Sequence, residues 1–191
     1  MTKAIIFDCF GVIIGRGFER TYQLAGGDPV QDREFIEDML GQANLGLISD
    51  TEFRASMARR VGIEPEDWSR IIKNAEILNT DLLAYIELLR LSYKTAILSN
   101  ANKGVLDTII GEKWLKKNFD EIVVSAEVGI AKPDERIYQL VVDRVGVATN
   151  ECLYIDDREK FLVPARRLGM SALLYENFDQ IKRDMSKLLG Q

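Results

Sequence analysis

Ala4-Ile5-Ile6-Phe7-Asp8-Cys9-Phe10-Gly11-Val12 opens with four apolar residues and breaks abruptly at a carboxylate. So short and continuous an apolar run suits a strand covered on both faces, as in a parallel sheet. The pattern returns at Thr95-Ala96-Ile97-Leu98, Ile122-Val123-Val124, Leu153-Tyr154-Ile155 and Ala172-Leu173-Leu174. Helical periodicity separates most of these runs. Leu82, Leu83, Ile86 and Leu89 form one stripe, and Ile137, Leu140, Val141 and Val145 form another. A third stripe, Phe178, Ile181, Met185, Leu188 and Leu189, ends the chain. Strands alternating with helices predict an α/β fold built on a doubly wound parallel sheet of about five strands.

One interval does not fit simple alternation. A crossover helix needs about 12 residues, yet roughly 86 separate Asp8 from Thr95. Much of the interval reads as further helices. One carries Phe35, Ile36, Met39 and Leu40. Another starts at Ser49 with Glu52 three residues on, a capping-box pattern, and carries Phe53, Met57 and Val61. A third begins near Pro65 and shows Trp68, Ile71 and Ile72. The expectation is a Rossmann-like core of residues 1–14 and 81–191, with a small helical cap of residues 15–80 inserted after the first strand. Pro164 falls inside an otherwise helical pattern, which predicts a helix that starts or kinks near it.

Composition narrows the chemistry. The 191 residues include no histidine, which excludes Ser-His-Asp hydrolysis, Cys-His proteolysis and HExxH zinc sites. Two cysteines, 143 positions apart, exclude a four-thiolate zinc site and a disulfide scaffold, and fit a reducing compartment. A net charge of −5 offers no footprint for nucleic acid or an anionic membrane. The longest apolar run, at 4–7, is too short to span a bilayer, and no secretory leader precedes it. The expectation is a soluble cytoplasmic protein.

In doubly wound sheets ligands gather at the C-terminal ends of the strands. Those ends carry Asp8, then Ser99-Asn100, then Lys132-Pro133, then Asp156-Asp157. Taken singly, each has a plain structural reading: an Asp caps a helix, Ser-Asn makes a turn, a Lys is a solvated charge. Their order along four successive strands is what favours a site. Three carboxylates against one ammonium leave a net of minus two, which a divalent cation offsets, and all-oxygen ligation favours magnesium. One such carboxylate can also act as a nucleophile. Ser99, Asn100 and Lys132 supply donors for phosphoryl oxygens.

This ordered set resembles the haloacid dehalogenase-like hydrolase superfamily. The segments Leu98-Ser99-Asn100 and Ser125 to Tyr138 are especially typical of it, and the resemblance covers essentially the whole chain. Within it, the chain looks like the branch of glucose-1-phosphate phosphatases, the phosphatase domain of soluble epoxide hydrolase, and 2-haloacid dehalogenases. The resemblance implies magnesium-dependent hydrolysis of a small phosphorylated metabolite. It makes Asp8 the nucleophile and a metal ligand, with the Phe10 backbone carbonyl, Asp156 and Asp157 as further ligands. Ser99 and Asn100 become phosphoryl-binding residues, and Lys132 the lysine that holds both nucleophile and phosphoryl charge.

One departure stands out. Family phosphatases usually carry a second Asp two residues after the nucleophile, where it moves a proton, and here that residue is Phe10. Three readings stay open: a phosphatase for good leaving groups, a 2-haloacid dehalogenase, or a slow relative that binds and regulates. Arg16, Arg20 and Arg54 could reach a substrate from the cap, although surface charge is the plainer reading. Cys9 reads as a buried small hydrophobe, Trp68 and Trp114 as packing residues, and the Cys152-x₅-Arg158 spacing as chance.

Overall fold

The computed structural model describes residues 1–15 and 17–190. In chain order it contains β1 (Ala4–Phe7), α1 (Phe18–Leu24), α2 (Arg33–Asn44), α3 (Asp50–Val61), α4 (Pro65–Ala75), α5 (Thr80–Leu89) and β2 (Lys94–Ser99). There follow α6 (Glu112–Asn118), β3 (Glu121–Val124), α7 (Ser125–Val128), α8 (Glu135–Val145) and β4 (Cys152–Asp156). The chain closes with α9 (Glu159–Arg167), β5 (Ser171–Leu174) and α10 (Phe178–Leu189). Among the described residues the sheet has five strands, in the order β3-β2-β1-β4-β5, and every pairing is parallel.

β1 lies at the centre because it is apolar on both faces. Its side chains alternate between two cores. Ile5, Phe7 and Cys9 join Leu82, Ile86, Leu115, Ile181 and Met185 on one face. Ala4 and Ile6 join Ile137, Val141, Leu162 and Ala165 on the other. Phe7 pairs with Ile97 on one side and Ile155 on the other. The strand order runs outward from β1 to β3 and then returns to β4, so the topology switches beside β1. That switch places a crevice at the C-terminal ends of β1 and β4.

Helices α1 to α4 surround a third apolar cluster that includes Tyr22, Met57 and Trp68. Phe18 and Tyr22 pack their rings on Trp68 at 6.2 and 6.0 Å between centroids. Ser49 forms the capping box its spacing predicts: its hydroxyl accepts from the Glu52 N–H, and Glu52 accepts from the Ser49 N–H. Two chain crossings tie this helical layer to the sheet, through the Gly15 N–H on Ile77 O and the Asn79 N–H on Ile13 O, both at 2.9 Å. The Asn79 side chain also caps α5 and donates to Val12 O and to Tyr175 Oη. A separate contact lies at Gly46, whose backbone passes so close to Ala126 that a Cβ would lie 2.5 Å from its carbonyl oxygen.

The helix expected to begin or kink near Pro164 starts at Glu159, and the proline lies inside it. Pro164 is buried. No described helix is long and apolar enough to cross a membrane.

Candidate active site

Asp8 is the first residue beyond β1, and its N–H bonds to Ile155 O at 2.8 Å, which locks it beside β4. By alternation it shares the face of Ala4 and Ile6, whereas Cys9 turns into the opposite core. Asp156 ends β4 on the same face as Asp8, and Tyr154, two residues earlier, points the same way. Lys132 reaches this face from the loop between α7 and α8.

The lysine joins these groups. Its Nζ donates to Asp8 Oδ1 at 2.8 Å, Asp156 Oδ2 at 2.8 Å and Tyr154 Oη at 2.9 Å. It also sits 4.9 Å from the centroid of the Phe161 ring, a favourable place for a cation. With a side chain only 1% exposed, the ammonium spends all three hydrogens on resident groups. In this arrangement the lysine is engaged with Asp8, Asp156 and Tyr154.

Asn100 is engaged with the same lysine. Its Oδ1 accepts from the Lys132 N–H at 2.9 Å, and its Nδ2 donates to Lys132 O at 3.0 Å. The carboxamide expected to meet the substrate is engaged in holding the lysine's backbone. Ser99 differs. Its Oγ is fully buried and has no hydrogen-bond partner among the described residues. A buried hydroxyl without a partner is costly, so one left at the C-terminal end of β2 fits a site shaped for an incoming acceptor.

Asp8, Asp156 and Asp157 each offer an oxygen, and these lie within 4.8 Å of one another. All three residues are buried. Burial pushes the Asp8 carboxyl up to about 7, against the pull of Lys132 and with the help of the Asp156 and Asp157 charges. Burial works against the Lys132 charge too, but Asp8 and Asp156 outweigh it and raise its pKa. The Asp8 shift comes from burial first and the neighbouring carboxylates second, and the Lys132 shift from its two carboxylate partners outweighing burial. An oxygen-only set of this kind fits a hard dication such as magnesium. Asp156 is already engaged by Lys132, by the Tyr154 hydroxyl, and by the Arg158 N–H at 2.9 Å. Asp157 lies beside Gly11 and lines an open cleft of about 590 Å³ that also includes Asn79 and Tyr175.

Phe10 is half-buried and packs against the β1 core. Its ring has no proton to move. Among Arg16, Arg20 and Arg54, Arg54 is paired with Asp50 at 2.5 Å, Arg20 is exposed, and Arg16 lies outside the described residues. Cys9 and Cys152 are both buried, and burial raises both thiol pKa values, so neither fits a thiolate nucleophile. Trp68 is core, and Trp114 is half-buried with its indole N–H on Glu87. Tyr154 was hidden to sequence reasoning inside an apolar run. Its period-two relation to Asp156 is the signal that points to it.

The family model of haloacid dehalogenase-like hydrolases matches residues 2–169. Bifunctional epoxide hydrolase 2 of Sus scrofa is 34% identical over 115 residues, which is 57% of this chain. The chain spans only 20% of that relative's length. The D-ribitol-5-phosphate phosphatase of Bacteroides thetaiotaomicron is 24% identical, with both chains covered in full. A HAD family enzyme of the same organism, solved with magnesium and inorganic phosphate, superposes with a TM-score of 0.75 at 22% identity. That alignment covers 95% of this chain and 99% of the other.

Proposed function

The chain belongs to the haloacid dehalogenase-like hydrolases, and from that premise we propose that it is a magnesium-dependent phosphatase of small phosphate monoesters. The observation that carries this reading is a cluster of three buried carboxylates, two of which, Asp8 and Asp156, are held by Lys132, with the unpartnered Ser99 hydroxyl at the end of the neighbouring strand β2. The D-ribitol-5-phosphate phosphatase named above, and the structural relative that binds magnesium and phosphate, support it.

On this reading residues 1–14 and 81–191 form the catalytic core, and 15–80 form a cap that excludes water and selects a small phosphorylated metabolite. The protein works in the cytoplasm, without a nucleic-acid or membrane partner. Asp8, the Phe10 carbonyl, Asp156 and Asp157 would hold magnesium, which when bound would offset charge on the phosphoryl oxygens.

A carboxylate oxygen of Asp8 attacks phosphorus in line, the ester P–O bond breaks, and an aspartyl-phosphate forms. Lys132 holds Asp8 Oδ1 and so aims the attacking carboxylate. The Ser99 hydroxyl donates to a phosphoryl oxygen. Water then attacks phosphorus, releasing phosphate and restoring Asp8. Because Phe10 cannot protonate the departing oxygen, substrates with weakly basic leaving groups, such as sugar 1-phosphates, are favoured. Phe10→Asp is expected to raise kcat on ordinary alkyl phosphates by about 10²-fold or more, the usual contribution of a positioned acid. An unchanged kcat would show that position 10 has no part in proton transfer.

Gly11 supplies a further check. Its φ of +97° suits glycine, and a Cβ there would lie 2.1 Å from Asp157 Oδ2. Gly11→Ala should displace Asp157 and raise the magnesium concentration for half-maximal activity by roughly tenfold or more. A titration of activity against magnesium reads this directly.

The reading as a whole is tested with sugar 1-phosphates, nitrophenyl phosphate and a 2-haloacid, each with and without chelator. Phosphate release that stops on chelation supports it. Chelator-insensitive release of halide would make the protein a dehalogenase, the reaction in which an aromatic residue at position 10 costs nothing. Tight binding of a beryllofluoride phosphate mimic without any turnover would make it a binding or regulatory protein.

A further inference from the structure

We infer that Tyr154 is a positioning residue for Lys132, taking the third ammonium hydrogen so that the charge stays aimed at Asp8. The inference rests on the phosphatase reading for its kinetic consequence, but the contact itself is independent of that reading.

A lysine ammonium has three hydrogens, and in a buried site each needs an acceptor. Asp8 and Asp156 take two of them. The third goes to a neutral oxygen, Tyr154 Oη, at 2.9 Å. The same hydroxyl donates its own hydrogen to Asp156 Oδ2. Lysine, phenol and carboxylate thus close a triangle in which every hydrogen has one direction. The Phe161 and Tyr154 rings flank the ammonium at 4.9 and 5.7 Å. Tyr154 itself is fully buried and fixed edge-on against Tyr138, with centroids 5.5 Å apart.

The neutral tether matters because the charge on Asp8 changes during the reaction. When Asp8 accepts a phosphoryl group, its hold on Lys132 weakens while the contact with Asp156 remains. With only two carboxylates as acceptors the ammonium would follow the stronger one, away from the reacting oxygen. Tyr154 Oη occupies the third direction and also satisfies part of Asp156, which reduces that pull. Misplacement of a reacting or charge-stabilising group by about an ångström can cost up to about 10²-fold in rate.

Tyr154→Phe tests this, because it keeps the ring and removes only Oη. In steady-state assays with magnesium, kcat should fall by about 10- to 100-fold. KM and competitive inhibition by inorganic phosphate should stay within about twofold, since the lysine spends no hydrogen on the phosphoryl group. With ¹⁵N-lysine labelling, the slowly exchanging Lys132 ammonium signal, assigned by its absence in Lys132→Met, should broaden or exchange faster in Tyr154→Phe. Tyr138→Phe removes a neighbouring buried hydroxyl, bonded to Phe161 O at 2.8 Å, and should lower Tm with kcat within twofold of wild type. A Tyr154→Phe protein that loses Tm but keeps both kcat and the ammonium signal would overturn the inference. So would a rise in KM at constant kcat, which would place Tyr154 at the substrate. If the wild-type protein hydrolyses no phosphate ester, the functional reading fails alone, and the ammonium signal still decides the role of Tyr154.

Discussion

Asp8→Asn is expected to lower kcat/KM for a phosphate ester by roughly 10⁴-fold or more, the scale seen when a nucleophile is removed, while leaving the protein folded. The amide has nearly the shape of the carboxylate, but its nitrogen and carbonyl do not form the acyl phosphate. Lys132 retains Asp156 and Tyr154 as partners, so the substitution leaves no buried ammonium stranded. It also removes one of three crowded negative charges. Burial already pushes the Asp8 carboxyl up to about 7, which means that its charge is tolerated at a cost. Thermal melting of metal-free Asp8→Asn should therefore give a Tm equal to or above that of wild type. Activity lost together with a large fall in Tm would instead make Asp8 a structural residue. The combination predicted, inactive yet at least as stable, is the signature of a group kept for its chemistry.

Lys132→Met should do the opposite to stability. The Met side chain fills a similar volume but carries no charge, and Asp8, Asp156 and Asp157 are then left together without a countercharge. Breaking a buried ion pair by removing one partner typically costs about 3–5 kcal/mol. For a protein of this size each kcal/mol shifts Tm by roughly 2–4 °C, so a fall of roughly 6–20 °C is expected in a melting experiment without metal. Magnesium should restore part of it, because the cation offsets the same charges and binds the folded form. Catalysis should nevertheless stay impaired with magnesium present, since the cation does not replace the hydrogen bond that aims Asp8. A metal-free Tm near that of wild type would mean that the three carboxylates are not charged together.

Much of this was legible because strand ends can be read from short apolar runs. Lys94–Ser99 and Cys152–Asp156 stop at a polar residue, and Ala4–Phe7 stops just before one, where the chain leaves the sheet. A parallel sheet then brings those ends to one edge, so Asp8, Ser99 and Asp156 fall together without any contact being known. The Ser49 capping box was equally readable, since its spacing is local. Helices α1 and α7, with seven and four residues, are too short to show a period. Asn100 and Lys132 meet across 32 positions, and no local pattern signals such a pairing. Tyr154 looked like one more apolar strand residue, and only its alternation with Asp156 marks it as facing the site.

The central claim is that Asp8 forms a covalent phosphoryl intermediate, and the most direct measurement is mass spectrometry of the Asp8 peptide after rapid acid quench. The protein would be mixed with excess nitrophenyl phosphate and magnesium, quenched within the first turnover, and digested at low pH. A phosphoryl adduct on Asp8, absent with chelator and absent in Asp8→Asn, is the predicted result. Steady phosphate release with no adduct at Asp8, or release undiminished in Asp8→Asn, would contradict it.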